Sequence, residues 1–143
     1  MVSISPFIVT IIAAWIAGQG TKYIITSAKH RSFNHFRQLY VSGSMPSAHT
    51  ATVVSVVTLI GFTDGTHSSV FGLAALIAGI VMYDSVMVRR SSGEQGAAIQ
   101  ALIKEQKSSV LLPRSAKGHT PLEVLVGAIL GALVGTIVFF ATK

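Results

Sequence analysis

Three short clusters in this chain combine residue types that handle phosphate, and each lies at the end of an apolar stretch. Gly118-His119-Thr120-Pro121-Leu122-Glu123 places an imidazole and a carboxylate four residues apart, so on a helix they share a face. A carboxylate there can accept one ring N–H and leave the other nitrogen free to attack. That is the orienting logic of a catalytic triad applied to a histidine nucleophile. The same residues also fit a capping box, with Thr120 as cap, Pro121 in the first turn and Glu123 reaching back. Both roles stay open for Glu123.

Gly43-Ser44-Met45-Pro46-Ser47-Ala48-His49 reads as the entry to another helix. Free amides and the helix dipole at such an N-terminus suit a phosphate. His49, beside it, can protonate a leaving oxygen near neutral pH. Ser47 by itself is equally well explained as an N-cap. The third cluster runs from Asp84 to the pair Arg89-Arg90. Arginine offers a planar fork suited to phosphate oxygens, although a pair at a span end also serves as a cytoplasmic anchor. Asp84 lies inside an apolar run, where an unpaired carboxylate is costly, so Lys22, Arg89 or Arg90 should neutralise it. Lys22 can alternatively snorkel to the interface. His30, His35 and His67 read as ordinary loop residues.

The elements that must position these groups are membrane spans. Only 11% of the 143 residues are charged, against roughly 25% in soluble domains, and half are hydrophobic. With a mean hydropathy of +0.63, so short a chain has too little interior to hide its apolar surface from water. The absence of Cys excludes thiolate chemistry and Cys-ligated zinc. Four stretches approach the ~20 residues that cross a bilayer: about Pro6 to Ile25, Ser47 to Phe62, Val70 to Val88, and Pro121 to Ala141. Between the last two, Ala98, Ile99, Leu102 and Ile103 fall on one helical face, which predicts an amphipathic helix at the membrane surface.

The expected fold is therefore all-α. A single membrane-embedded domain, residues 1–143, holds a bundle of four transmembrane helices plus a short interfacial amphipathic helix. Gly127, Gly131 and Gly135 form a ridge that lets another helix approach closely, in this chain or in the second copy of a homodimer. The net charge of +6 sits in loops between spans and does not imply nucleic acid. Loops 29–44 and 89–119 carry nine Lys/Arg against one in the second loop and tails together. The bias places those loops on the cytoplasmic side of the cell membrane and both termini opposite. Up-down-up-down threading then gathers Lys22, Lys29, Ser47, His49, Asp84, Arg89, Arg90, His119 and Glu123 at one face.

Taken in order, Lys22, Pro46-Ser47-Ala48-His49, Asp84-x4-Arg89-Arg90 and Gly118-His119-Thr120-Pro121-x-Glu123 resemble a divergent branch of the type 2 phosphatidic acid phosphatase superfamily. Acid phosphatases and vanadium haloperoxidases belong to the same superfamily. The resemblance runs from about Gln19 to Gly131. It implies that Lys22, Ser47 and the Ala48 amide hold phosphate, that His49 protonates the leaving group, and that His119 becomes a phosphohistidine. Glu123 would replace the orienting Asp. The wider signature is K-x6-R-P, then P-S-G-H, then S-R-x5-H-x3-D. Here Lys29 stands in place of Arg and lacks the Pro, Ala48 replaces Gly, and Arg114 is one residue too close to His119. Arg89 or Arg90 thus becomes the better second phosphate-binding cation, with Asp84, Lys29 and Arg114 in support.

The function expected is a membrane phosphatase for a lipid phosphomonoester or lipid pyrophosphate, working without metal or cofactor. One rival is a small transporter of anions or lipids that uses Lys22 and Asp84 as coupled charges. Another is a divalent-metal hydrolase built on His49, Asp84 and His119, in which the surrounding cations would repel the metal.

Overall fold

A computed structural model describes residues 4–30, 45–113 and 117–143, with the side chains of Lys29 and His30 outside the description. Its elements are helices: α1 (Pro6–His30), α2 (Ala48–Thr63), α3 (Ser69–Tyr83), a π-helical turn (Asp84–Val88), α4 (Arg89–Glu105) and α5 (Pro121–Thr142). The burial pattern is inverted relative to a water-soluble protein. Thr10, Ser47, Thr50, Ser55 and Ser85 are fully buried, whereas Trp15, Leu73, Leu76, Ile80, Leu125, Leu133 and Ile137 are exposed. Large apolar side chains turned outward and small or polar ones inward are what a lipid solvent selects.

Three helices are long and apolar enough to cross a membrane: Pro6–Ala28, Ser69–Glu105 and Pro121–Thr142. The fourth expected span, α2, has 16 residues and covers about 24 Å, short of the ~30 Å of hydrocarbon. The expected surface helix also differs. Instead of lying apart, α4 continues α3 through the π-turn in one helix of 37 residues, about 55 Å long. Lys107, at φ +48°, ends this rod, and the Gln100 side-chain amide donates to the Pro113 carbonyl at 2.6 Å as the chain returns.

The centre of the bundle is the pairing of α2 with α5. Both helices start at the same face and run parallel. A Cβ at Gly127 would sit 2.6 Å from the Ser47 carbonyl oxygen, and one at Gly135 would sit 2.5 Å from that of Ser55. One at Gly131 would strike the Ala51 carbonyl oxygen. The glycine ridge therefore meets Ser47, Ala51 and Ser55, an equally small stripe on α2. At the far end Phe62 stacks on Phe139 with centroids 4.9 Å apart. Of the two partners expected for the ridge, α2 of the same chain is the one that lies against Gly127, Gly131 and Gly135.

Helix α1 contributes Thr10, Ala14, Gly18 and Lys22, a buried stripe at a spacing of four. Its small members draw α1 onto α2, and Lys22 continues the same packed line.

Candidate functional site

Ser47 opens α2 as its N-cap. The hydroxyl accepts from the Thr50 amide at 3.4 Å and from the Thr50 hydroxyl at 2.9 Å. The Ser47 amide donates across to the Glu123 carbonyl at 3.1 Å. With no exposed surface, the Ser47 side chain is committed to the cap. The groups this terminus can offer an anion are the first-turn amides that the helix ladder leaves free. Replacement of Gly by Ala at 48 has a local compensation. Gly18 lies opposite, where an added Cβ would come within 3.0 Å of both Cα and Cβ of Ala48.

At the start of α5, Glu123 caps the helix and also contacts the His119 ring. Thr120 and Glu123 form a capping box. One oxygen, Oε2, lies 3.0 Å from the Thr120 amide and 3.1 Å from Nδ1 of His119. The cap therefore fixes the carboxylate that stands against the imidazole. His119 is 6% exposed, and its amide donates to the Ser85 carbonyl at 2.9 Å.

That carbonyl lies in the π-turn, which explains the third cluster. In an α-helix, residues five apart point about 140° away from each other. The i→i+5 winding of a π-turn aligns them instead, and Arg89 Nε reaches Asp84 Oδ2 at 2.6 Å. Asp84 is paired with Arg89, one of the three cations expected to neutralise it. Arg90 projects elsewhere and pairs with Glu94 at 3.2 Å on an exposed surface. Its backbone packs on Gly118, where any Cβ would collide with the Arg90 amide nitrogen and Cα. Arg90, Glu94, Lys117, Gly118, His119 and Thr120 line part of an open groove of about 360 Å³.

Lys22 is 6% exposed, and the charge of Glu123 acts on it. The charges acting on His49 are those of Arg89, His119, Lys22 and Asp84. Lys22, Asp84, Arg89 and His119 thus lie near His49, which is exposed, and Glu123 lies near Lys22. The side chain of Lys29 and all of Arg114 lie outside the described residues. Among the described residues, no three His, Asp or Glu side chains form a metal-binding group. The sequence reading missed the π-turn, the Gly18–Ala48 contact and the role of Gly118. Only Gly118 had a visible signal, a glycine directly before the histidine.

No solved structure matches the chain. The uncharacterized membrane protein YuiD of Bacillus subtilis (strain 168) is 33% identical over 108 residues, which cover 65% of this chain and 68% of that protein. The model of the divergent PAP2 family matches residues 4–134, nearly the whole length, and the chain belongs to that family.

Proposed function

We propose that this protein is a membrane phosphatase that hydrolyses a lipid phosphomonoester or lipid pyrophosphate through a phosphohistidine on His119. The observation that carries the reading is the His119–Glu123 contact of 3.1 Å, with the charges of Lys22, Arg89 and His119 acting on His49. Glu123 holds Nδ1–H and stabilises the imidazolium, so Nε2 presents its lone pair to phosphorus. As the N–P bond forms, the P–O bond to the lipid breaks, and His49 donates its proton to the departing oxygen. Lys22, Arg89 and the free amides at the start of α2 stabilise the charge on the equatorial oxygens. His49, now neutral, takes a proton from water. The water oxygen attacks phosphorus, the N–P bond breaks and phosphate leaves. The apolar outer surface lets the lipid tails stay in the bilayer while the head group enters at the cytoplasmic end.

Phosphate release from lipid phosphates by the purified protein in detergent tests this reading. Turnover should persist with chelator present, and vanadate, a mimic of five-coordinate phosphorus, should inhibit it. His119→Ala should abolish turnover while the lipid phosphate still binds. Failure to release phosphate from any lipid phosphate, with no response to vanadate, would remove the phosphatase reading and favour a carrier.

A further inference from the structure

A buried oxygen with no hydrogen-bond partner belongs to a residue one helical turn before Lys22. Oε1 of Gln19 is sealed from solvent and accepts no hydrogen bond. A buried amide oxygen left this way carries its full desolvation cost, and native proteins leave few such groups unexplained. Gln19 is three residues before Lys22, so the two share a face of α1. It also directly follows Gly18, the point where α1 touches Ala48 at the start of α2. By helical position Gln19 lies one turn before Lys22 on α1 and adjoins the residue that meets the start of α2. Ser27 has an unpartnered buried hydroxyl as well, but it lies about 140° around α1 from Lys22 and does not share that face.

Every other polar group assigned to phosphate here is a cation or an N–H donor. Such donors recognise phosphate oxygens that carry no proton. An amide oxygen recognises the opposite, an O–H. We infer that Gln19 contacts the substrate and accepts a hydrogen bond from a ligand hydroxyl, either the phosphate's own P–OH or a hydroxyl on the lipid head group beside it. The inference rests on the phosphatase reading for its substrate. Its physical basis is independent, because an acceptor that is unsatisfied in the empty protein becomes satisfied when ligand arrives.

This arrangement has a signature that a structural glutamine lacks. Replacing an unpaired buried polar group by an apolar one of similar shape relieves a desolvation cost. Gln19→Leu should therefore raise the melting temperature of the ligand-free protein while raising KM roughly three- to tenfold, the scale of one net hydrogen bond. The experiment uses full-length protein in detergent with two probes, phosphatidic acid, which has no free head-group hydroxyl, and lysophosphatidic acid, which has one. Equal loss on both assigns the donor to P–OH; loss confined to lysophosphatidic acid assigns it to the head group. Thermal shift by the same lipids is read in parallel. If wild type releases no phosphate, a lipid-induced shift that Gln19→Leu diminishes still supports the contact while the phosphatase reading fails. Unchanged KM and thermal shift in Gln19→Leu overturn the inference, as does a lowered melting temperature of the ligand-free variant. A wild type showing neither turnover nor shift overturns both proposals.

Discussion

The α1–α2–α5 core and the α3–α4 rod are built on different rules. In the core, backbones touch. Gly127, Gly131 and Gly135 meet carbonyl oxygens of α2, and Gly18 meets Ala48. On the rod, Gly72 and Gly79 face open space, and Leu73, Leu76, Ile77 and Ile80 are exposed. The core holds Lys22, Ser47, His49, His119 and Glu123 on three helices whose spacing is set by atoms that cannot move apart without losing the contact. The rod supplies Asp84 and Arg89, and meets the core's site face through the Ser85 carbonyl to the His119 amide and through Gly118 against Arg90. Close packing therefore runs along α1, α2 and α5, while the rod joins it closely near Ser85 and Arg90.

The same substitution placed in each region exposes this contrast. Gly131→Val should prevent α2 from seating on α5, with loss of monodisperse protein in size exclusion and of all turnover. Gly79→Val should leave both intact, because nothing lies within 4 Å of a Cβ there. Equal damage from the two would show that the rod is packed as tightly as the core.

A smaller effect tests the core's own chemistry. Glu123→Gln keeps an acceptor for the Thr120 amide, and Gln also serves in capping boxes. It removes the charge facing His119. Steady-state kinetics should show a loss of about a hundredfold or more, the scale of a lost orienting group, with an unchanged melting temperature. Full activity would reduce Glu123 to a cap. Smallest is the effect on the rod. Arg89→Ala should cost about tenfold or more in kcat/KM, as expected for a charge-assisted phosphate contact. Arg90→Ala, whose partner is the exposed Glu94, should stay within about twofold. The reverse order would place the phosphate on the groove side of His119.

The periodicity and charge of the chain suffice to place it in a membrane as a helical bundle, because every span must satisfy its own backbone and advertise that need as an apolar run. They also suffice to send Lys22, His49, Asp84, Arg89, His119 and Glu123 to one face, since alternating spans put the ends that carry them on the same side. Three matters were decided only by tertiary structure. The glycine ridge turned inward because Ser47, Ala51 and Ser55 offered a surface equally thin, which no single helix reveals. Arg89 was brought onto Asp84 by a π-turn, a widening of the helix that periodicity cannot show because it shifts register by one residue. Glu123 became cap and orienter together because a single carboxylate oxygen stands within hydrogen-bond distance of both the Thr120 amide and the His119 ring; spacing had put all three groups in one neighbourhood, and only the packed geometry brought them to one atom.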